Sequence, residues 1–332
     1  MTRVSGALLL GVLLTGLCVV SVAVGSGLGP HDLGYGTVVD GLFHRDRVDG
    51  EIAKLIDGRL TRTALGLLAG AALGAAGALT QGHIRNPLAD PGLLGINAGA
   101  ACAVVIGVFV FGTTGTVSTA AAALIGAGLA SVAVFALANV SGATPLTLVL
   151  AGAGLTAFLM AVTSAIVLSD GATLDAWRTW NVGALGGRGA DVLATVAPLV
   201  LVGLFAALAG GWFLNLLSLG DDMATALGGR VRLIRLSGVA TITLLAGAAT
   251  AACGPIAFLG LVVPHLARAI TGPDYRWVVP FSALLGAALL VGCDVLGRVV
   301  ARPGEVPAGV MLALVGGPAL ILMVRRRRLP AV

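Results

Sequence analysis

Long apolar segments alternate with short polar ones along almost the whole chain. Ten of these segments approach the roughly 20 residues that a membrane-spanning helix requires. The predicted spans are residues 5–27, 61–82, 92–111, 116–138, 146–168, 190–213, 234–253, 255–271, 278–297 and 307–324. The apolar run 234–271 is too long for one span, and we divide it at Gly254-Pro255, a boundary that the pattern leaves open. The predicted fold class is therefore all-α: a polytopic membrane helical bundle of about ten transmembrane helices, in a single domain over residues 1–332.

Three polar segments are long enough to form structure outside the membrane. Residues 28–60 and 169–190 are two predicted outer loops, and residues 214–233 are the largest predicted inner loop. None of the three is long enough to form a soluble catalytic domain. We therefore expect function to reside in the membrane helices and in these short connections.

The composition is typical of a membrane protein, and the spacing of its glycines indicates a candidate surface for helix packing. Hydrophobic residues make up 58% of the chain and charged residues 11%, whereas soluble domains carry about 25% charge. Gly66, Gly70 and Gly74 recur at every fourth position of the second predicted span, and Gly77 follows them. Small residues at this spacing favour close helix packing. The alternative is that they line a pathway for a bulky solute.

The basic residues indicate an orientation. The net charge is +5 and most arginines lie singly near span ends, a distribution that does not suggest a nucleic-acid partner. Basic residues concentrate on the cytoplasmic side of membrane proteins. The terminal run Arg325–Arg328 and the loop residues Arg230, Arg232 and Arg235 are accordingly assigned to the cytoplasm. Both termini are then predicted to be cytoplasmic.

Several chemistries find no support in the sequence. It contains no GxxxxGK[ST] phosphate-binding loop and no HExxH or GxSxG motif, so any ATP-driven process would need an ATPase on another chain. The four cysteines (Cys18, Cys102, Cys253 and Cys293) lie in apolar runs without CxxC spacing. They indicate neither a metal site nor a disulfide framework. We predict no catalytic residue and no metal ligand.

The segment after the second predicted span, QGHIRNPLADPGLLG, is rich in residues that restrict the backbone. Pro87 and Pro91 fix their own φ angles and limit the residues that precede them. We therefore expect a rigid inner loop. The alternative is an ordinary connection whose Arg85 is held at the inner face.

The inner loop 214–233 contains a second informative pattern. Gly220 followed by Asp221 and Asp222 favours a helix start, because the helix dipole stabilises negative charge at an N-terminus. Gly228 is the expected end of that helix. A short helix along the membrane surface is able to act as a lever on a docked partner, and the alternative is an anchored amphipathic loop.

Polar residues also end the eighth predicted span, where Pro264, His265 and Arg268 follow an apolar run. A single histidine in a membrane helix usually bonds a neighbouring helix. A proton relay would need further buried ionisable groups, and we find only Asp294, near an outer helix end. The sequence therefore gives little support to proton coupling.

Four segments, in order along nearly the whole chain, resemble the FecCD-type permeases of ABC importers, which take up iron–siderophore complexes, haem or cobalamin. They are the span and loop that contain RNPLA, the inner-loop motif LGDDMATALG, the stretch GPIAFLGLVVPHLAR, and the region from Asp294 through the GEVPAG turn into the last span. RNPLA and GLVVPH are each fairly specific. The chain departs from the family pattern at Thr61, where many members carry proline.

The resemblance implies a type II ABC importer permease in the bacterial plasma membrane. It implies a homodimer, or a heterodimer with a paralogue, that binds two cytoplasmic ABC ATPase subunits and an extracytoplasmic substrate-binding protein. The chain itself would be a translocation subunit that binds no cofactor, with ATP and Mg held by the ATPase. The expected cargo is an iron(III)–siderophore, with haem or cobalamin as alternatives.

The resemblance also groups the candidate functional residues. The expected ATPase-coupling residues are Leu219, Gly220, Asp221, Asp222, Ala224, Leu227 and Gly228. The expected cytoplasmic gate and inner-loop residues are Gln81, Arg85, Asn86, Pro87, Pro91, Pro264, His265 and Arg268. The expected docking residues for the binding protein are Arg59, Arg62 and Arg298, since the planar guanidinium group suits bidentate bonding to carboxylates.

Two other function classes stay open. An ion-coupled secondary transporter would need buried acids near the membrane midplane, and the predicted spans almost lack them. A membrane enzyme or scaffold would need a polar cluster inside the spans, and none is evident. The sequence does not decide which chelate is carried, which residues contact it, or whether the dimer is homomeric.

Overall fold

Helices account for nearly all of the regular structure. The computed structural model describes residues 3–24, 35–113, 115–140, 144–301 and 304–325. Within these residues the helices are α1 (Arg3–Val24), α2 (Tyr35–Phe43), α3 (Gly50–Ile84), α4 (Ile96–Phe111), α5 (Thr116–Val140), α6 (Pro145–Ser169), α7 (Gly171–Asn181), α8 (Ala190–Leu217), α9 (Asp221–Ala226), α10 (Val231–Cys253), α11 (Leu259–Thr271), α12 (Tyr275–Val300) and α13 (Ala308–Arg325). Two short 3-10 helices cover Arg45–Arg47 and Pro91–Leu94. No strand occurs in the described part of the chain, so the all-α prediction is confirmed.

Each of the ten predicted spans corresponds to one apolar helix. Among the described residues, six helices are long and apolar enough to cross a membrane: Gly50–Ile84, Thr116–Ala138, Pro145–Ser169, Ala190–Leu217, Val231–Cys253 and Tyr275–Val300. Four apolar helices are shorter, namely Leu9–Val22, Ile96–Phe111, Leu259–Thr271 and Ala308–Leu322. Residues 28–34 of the predicted outer loop and Arg326–Arg328 of the basic tail lie outside the described residues.

The predicted polar loops contain more helix than the sequence indicated. The loop assigned to residues 28–60 contains α2, and α3 already begins at Gly50 rather than near residue 61. The loop assigned to residues 169–190 contains α7. Polar residues such as Glu51 and Lys54 fit a helix in water as well as a loop. The change in polarity therefore marks the edge of the apolar segment and not the end of the helix.

The run 234–271 is divided where the sequence suggested. α10 ends at Cys253 and α11 begins at Leu259, so residues 254–258 form a non-helical connection. Gly254 has φ 80° and Phe258 has φ 66°, both in the left-handed region. A Cβ on Gly254 would collide with the carbonyl oxygen of Trp180. The glycine therefore permits both the turn and the close approach of α7.

Helix α3 lies at the centre of the bundle, packed against α8, α10, α11 and α12. From Ala72 to Ile84 every residue of α3 is buried. A Cβ on Gly70, Gly74 or Gly77 would collide with a carbonyl oxygen of Gly286, Ser282 or Gly260, respectively. A Cβ on Gly66 would lie 3.1 Å from the side chains of Leu185 and Val291.

These contacts decide between the two interpretations of the glycine series. Backbone touches backbone along α3 because the glycines carry no side chain. The faces of α12 and α11 occupy the space that a pathway along this series would need. The series therefore serves close helix packing within the chain.

Replacing one of these glycines by alanine should destabilise the protein. We expect Gly77→Ala to lower the melting temperature in detergent, because the new methyl group meets the backbone of Gly260 and overpacking costs about 1–3 kcal/mol. Gly11→Ala is the control, since Gly11 is also helical but a methyl group added there would have no atom within 4 Å. Equal melting temperatures for both variants would show that the close approach is not needed.

Candidate functional site

The inner loop 214–233 folds as a short helix between two glycine turns. α8 ends at Leu217, α9 follows from Asp221, and α10 begins at Val231. Gly220 has φ 101° and Gly228 has φ 83°, conformations that residues with a Cβ rarely adopt. The glycines therefore allow the chain to leave α8, form α9 and enter α10 within one short connection. We call this side of the bundle the α9 end and the side that carries α7 the α7 end.

Asp221 joins α9 to two other elements. Arg85, at the C-terminus of α3, donates Nη2–H to Asp221 Oδ1. Arg235, in the first turns of α10, donates from Nη2 to Asp221 Oδ2 at 2.6 Å. The side chain of Arg235 is 11% exposed, so this ion pair is largely shielded from water. Asp222 is exposed and forms no ion pair among the described residues.

The remaining residues of the loop divide between a buried and an exposed face. Ala224 is fully buried against the bundle. Leu219, Met223 and Leu227 are spaced by four and are 59%, 54% and 61% exposed. This set of three side chains, which we call the α9 ridge, forms an apolar surface at the α9 end.

The RNPLADP segment continues from α3 with a defined backbone. Arg85 has φ 53° and its N–H bonds the carbonyl of Gln81. Asn86 Oδ1 accepts the N–H of Leu88 at 2.9 Å, and Asp90 Oδ1 accepts the N–H of Gly92 at 2.8 Å. Pro91 is buried at the start of the 3-10 helix, and Pro87 is half-buried. Proline residues and side-chain hydrogen bonds therefore both constrain the backbone of this segment.

Asp90 is half-buried in this segment, with its carboxylate beside Gly260 of α11. Burial raises the pKa of its carboxyl, and the hydrogen bond from Gly92 N–H opposes that rise. The charged form of this carboxyl group needs a hydrogen-bond donor, and Gly92 N–H is that donor. The bond therefore constrains the backbone of the segment.

Gln81 ties α3 to α11. Its Nε2 donates to the carbonyl oxygens of Leu261 at 3.2 Å and Gly260 at 3.4 Å. Pro264 has no N–H, so the carbonyl of Gly260, four residues earlier, has no helical donor. Gln81 supplies a donor in its place, which removes the penalty of an unpaired carbonyl in a buried position.

Arg268, in the last turn of α11, also bonds Gln81. It is 4% exposed, and its Nη2 donates to Gln81 Oε1. His265 is also buried, and its Nδ1 lies 2.9 Å from the carbonyl oxygen of Leu261, in the same helix. The structure thus brings Gln81, Pro264 and Arg268 together and leaves His265 within its own helix.

Sequence reasoning missed two residues at the α9 end. From the sequence, Arg235 is predicted only to be a cytoplasmic charge. The structure shows that it bonds Asp221, which lies fourteen residues earlier in the chain. His83 is buried between α3 and α10, with Nδ1 2.9 Å from Leu79 O and Nε2 3.3 Å from Ile234 O. Gly238 makes room for the ring, since a Cβ there would collide with it. The polar turn QGH is the only sequence signal for His83.

At the α7 end, the predicted docking arginines Arg62 and Arg298 form ion pairs with acidic residues of the chain. Arg62 bonds both oxygens of Asp294, at 2.9–3.2 Å, and Glu305 Oε2 at 2.8 Å. Arg298 is 7% exposed and pairs with Asp294 Oδ2 at 3.1 Å. The hydrogen bond from Arg62 holds the pKa of Glu305 below its usual range, so this carboxylate stays ionised at neutral pH.

Arg298 also reaches α1, where it donates to the carbonyl and the hydroxyl oxygen of Ser21 at 2.9 and 2.8 Å. Helices α1, α3 and α12 are therefore joined through two guanidinium groups and one carboxylate. Arg59 lies one turn before Arg62 on α3 and is partly exposed. It adds a further positive charge at this end of the bundle.

The Asp294 network should contribute to stability. Arg298→Gln is expected to lower the melting temperature, because it removes the ion pair with Asp294 and the hydrogen bonds of a charged group to Ser21, and such bonds contribute about 1.5–3 kcal/mol each. Arg178→Gln is the control: its side chain is 65% exposed and pairs with Asp175 at 3.9 Å, and exposed pairs contribute less than about 1 kcal/mol. An Arg298→Gln protein as stable as the control would contradict the structural role.

The FecCD transport family model matches residues 14–326, and the chain belongs to this family. It is 47% identical over 275 residues to the ferric enterobactin transport system permease protein of Escherichia coli K12, covering 82% of each chain. It is 37% identical to the hemin transport system permease protein of Yersinia pestis, covering 98% of each.

A solved structure supports the same assignment. The chain superposes with a TM-score of 0.83, at 26% identity, on an inward-facing conformation described as a metal-chelate type ABC transporter, covering 95% of this chain and 99% of that one. The cobalamin import system permease protein of Halobacterium salinarum is 38% identical over 85% of this chain and 76% of its own length. This protein is thus a multi-pass membrane permease subunit of a metal-chelate and siderophore ABC importer, and the resemblance seen in its sequence is confirmed.

Proposed function

We propose that this permease carries an iron(III)–siderophore chelate. The 47% identity to a ferric enterobactin permease, over 82% of both chains, supports this cargo. The hemin and cobalamin permeases align along most of the chain as well, so haem and cobalamin are the alternative cargoes. Among the described residues, no group of three or more His, Cys, Asp or Glu side chains is arranged to hold a metal ion. The iron would accordingly cross inside its chelate.

ATP hydrolysis on a separate chain would drive the transport. The α9 ridge offers three exposed apolar side chains at one end of the bundle, and contiguous exposed apolar side chains commonly mark a contact surface. We assign this surface to the docking site of an ABC ATPase, and the other predicted residues of the segment, Gly220, Asp221, Asp222, Ala224 and Gly228, to the loop that carries it. ATP and Mg²⁺ would be bound by that partner.

The α9 end would face the cytoplasm of a bacterial cell. Arg230 and Arg232 are exposed beside α9, where cytoplasmic basic residues are expected. α13 also ends on a basic residue, Arg325. Both termini would then lie on the cytoplasmic side, as the even number of predicted spans requires.

A second permease subunit would cover α6. Only 17% of the apolar window of this helix is buried within the chain. The helix carries Ala153, Ala157, Ala161 and Ala165, a four-residue repeat of small side chains. Such a repeat allows two membrane helices to approach closely. A homodimer, or a heterodimer with a paralogue, would place the cargo path between the two copies.

Space within one chain is less suited to a polar chelate. The groove between α5 and α10 has a volume of about 540 Å³, and its lining includes Leu124, Val132, Phe135, Val239 and Leu244. Apolar walls of this kind suit lipid tails. A path between two copies of the permease is therefore the better candidate.

An extracytoplasmic binding protein would dock at the α7 end. Arg59 is the first candidate for this contact, because it is partly exposed there. Arg62 and Arg298 would have to leave Asp294 in order to bond a partner, and their side chains are only 16% and 7% exposed. A carboxylate on the binding protein would complete the contact, since arginine bonds carboxylates in bidentate geometry.

Reconstitution tests the proposed function. In proteoliposomes that contain the permease, its ATPase and its binding protein, we expect ATP-dependent uptake of an iron(III)–catecholate chelate in preference to haem or cobalamin. Uptake of haem or cobalamin alone would transfer the assignment to that cargo. Uptake that persists without the ATPase would support a secondary transporter instead.

Charge on the α9 ridge should weaken ATPase binding. We expect Met223→Asp to reduce the ATPase that co-purifies with the tagged permease about tenfold or more, because a central buried apolar contact contributes about 2 kcal/mol or more. Phe43→Asp is the control, since Phe43 is 77% exposed on α2, away from the α9 end. Equal recovery with both variants would place the ATPase elsewhere.

A further inference from the structure

Three elements meet at the carboxylate of Asp221. Asp221 is the first residue of α9, Arg85 caps the C-terminus of α3, and Arg235 belongs to α10. Each arginine bonds a different oxygen of the carboxylate. One side chain therefore fixes the position of the short helix relative to two membrane helices.

The contact continues beyond Arg85 into the bundle. The backbone N–H groups of Arg85 and Asn86 both bond the carbonyl of Gln81. The side chain of Gln81 bonds the backbone of α11 and accepts from Arg268. A continuous series of polar contacts thus runs from α9 through the last turn of α3 to α11.

The two arginines depend on Asp221 for their close approach. Without the carboxylate, two guanidinium groups would face each other, and like charges in a partly shielded position repel. The side chain of Arg235 is largely buried, so little water is available to replace its ion pair with Asp221. Removing the negative charge should therefore free α9 from α3 and α10 together.

We propose that Asp221 is a positioning residue that transmits the movement of α9 to the end of α3, to the RNPLADP segment and to α10. The proposal rests on the proposed function, in which the ATPase moves α9. Displacement of α9 then pulls Arg85 and Arg235 in the same direction, and the segment 85–95 follows because it is continuous with α3. Asp222 has no such role, since it is exposed and has no ion pair among the described residues.

The matched pair Asp221→Asn and Asp222→Asn tests this. Each variant is assembled with the ATPase and the binding protein in proteoliposomes, and ATP hydrolysis and uptake of an iron(III)–catecholate chelate are measured in the same sample. We expect Asp221→Asn to keep its ATPase activity and to lose about tenfold in chelate imported per ATP hydrolysed, within the range of measured coupling effects. Asp222→Asn should keep the ratio of the unmodified protein.

The outcomes separate the possible roles. An unchanged ratio in Asp221→Asn would overturn the proposal. A loss of ATPase recovery in the purified complex would also overturn it, because Asp221 would then be a docking residue. An unmodified complex without ATP-driven uptake would contradict the proposed function itself, which is a different result.

Arginine variants give a second route if Asp221→Asn does not assemble. Arg235→Gln should lower the same ratio, and combining it with Arg85→Gln should add less than the sum of the single effects, since both act through one carboxylate. Arg232→Gln is the control, because Arg232 is exposed and has no ion pair in the described structure. Additive effects, or an equal effect of the control, would contradict a shared role through Asp221.

Discussion

The close approach of α3 to its neighbours is the constraint on which the rest of the structure depends. Gly70, Gly74 and Gly77 bring its backbone against the carbonyl oxygens of α12 and α11. In a membrane, where apolar side chains gain little by leaving lipid, packing of this kind is a main source of helix association. Any side chain at these positions would move α11 and α12 outward. Gln81 would then be separated from the carbonyl groups that it bonds.

Some polar side chains inside the bundle lie where the helical backbone is interrupted. Pro264 leaves the carbonyl of Gly260 without a donor, and Gln81 supplies one. Gly254 and Phe258 take left-handed conformations before α11, and Arg85 does so after α3. Irregular backbone is tolerated at membrane depth only where the protein itself satisfies its polar groups. The signature residues of the RNPLA and PHLAR segments can be understood in this way, as a means of stabilising two breaks in neighbouring helices.

The sequence predicts the elements well and their contacts poorly. Span length and the Gly254-Pro255 break predict ten apolar helices, and each has a counterpart. The predicted start of the second span, residue 61, lies well after the start of α3 at Gly50, because polarity reports the membrane edge and not the helix end. Arg62 and Asp294 are separated by 232 positions, and nothing local in either segment indicates the pair. The same is true of Arg85 and Asp221, which are 136 positions apart.

These long-range pairs hold the two ends of the bundle to different degrees. At the α7 end, Asp294 holds α1, α3 and α12 through the partly buried Arg62 and the buried Arg298, so the contacts of this end are largely shielded from water. At the α9 end, the side chain of Asp221 is 41% exposed, and the helix that carries it is only six residues long and bracketed by glycines. Elements that move are drawn from parts with few buried contacts. Buried contacts fix the bundle at the α7 end, whereas a partly exposed ion pair joins its helices at the α9 end. The bundle is therefore suited to open and close at the α9 end, while α3 contacts the helices at both ends.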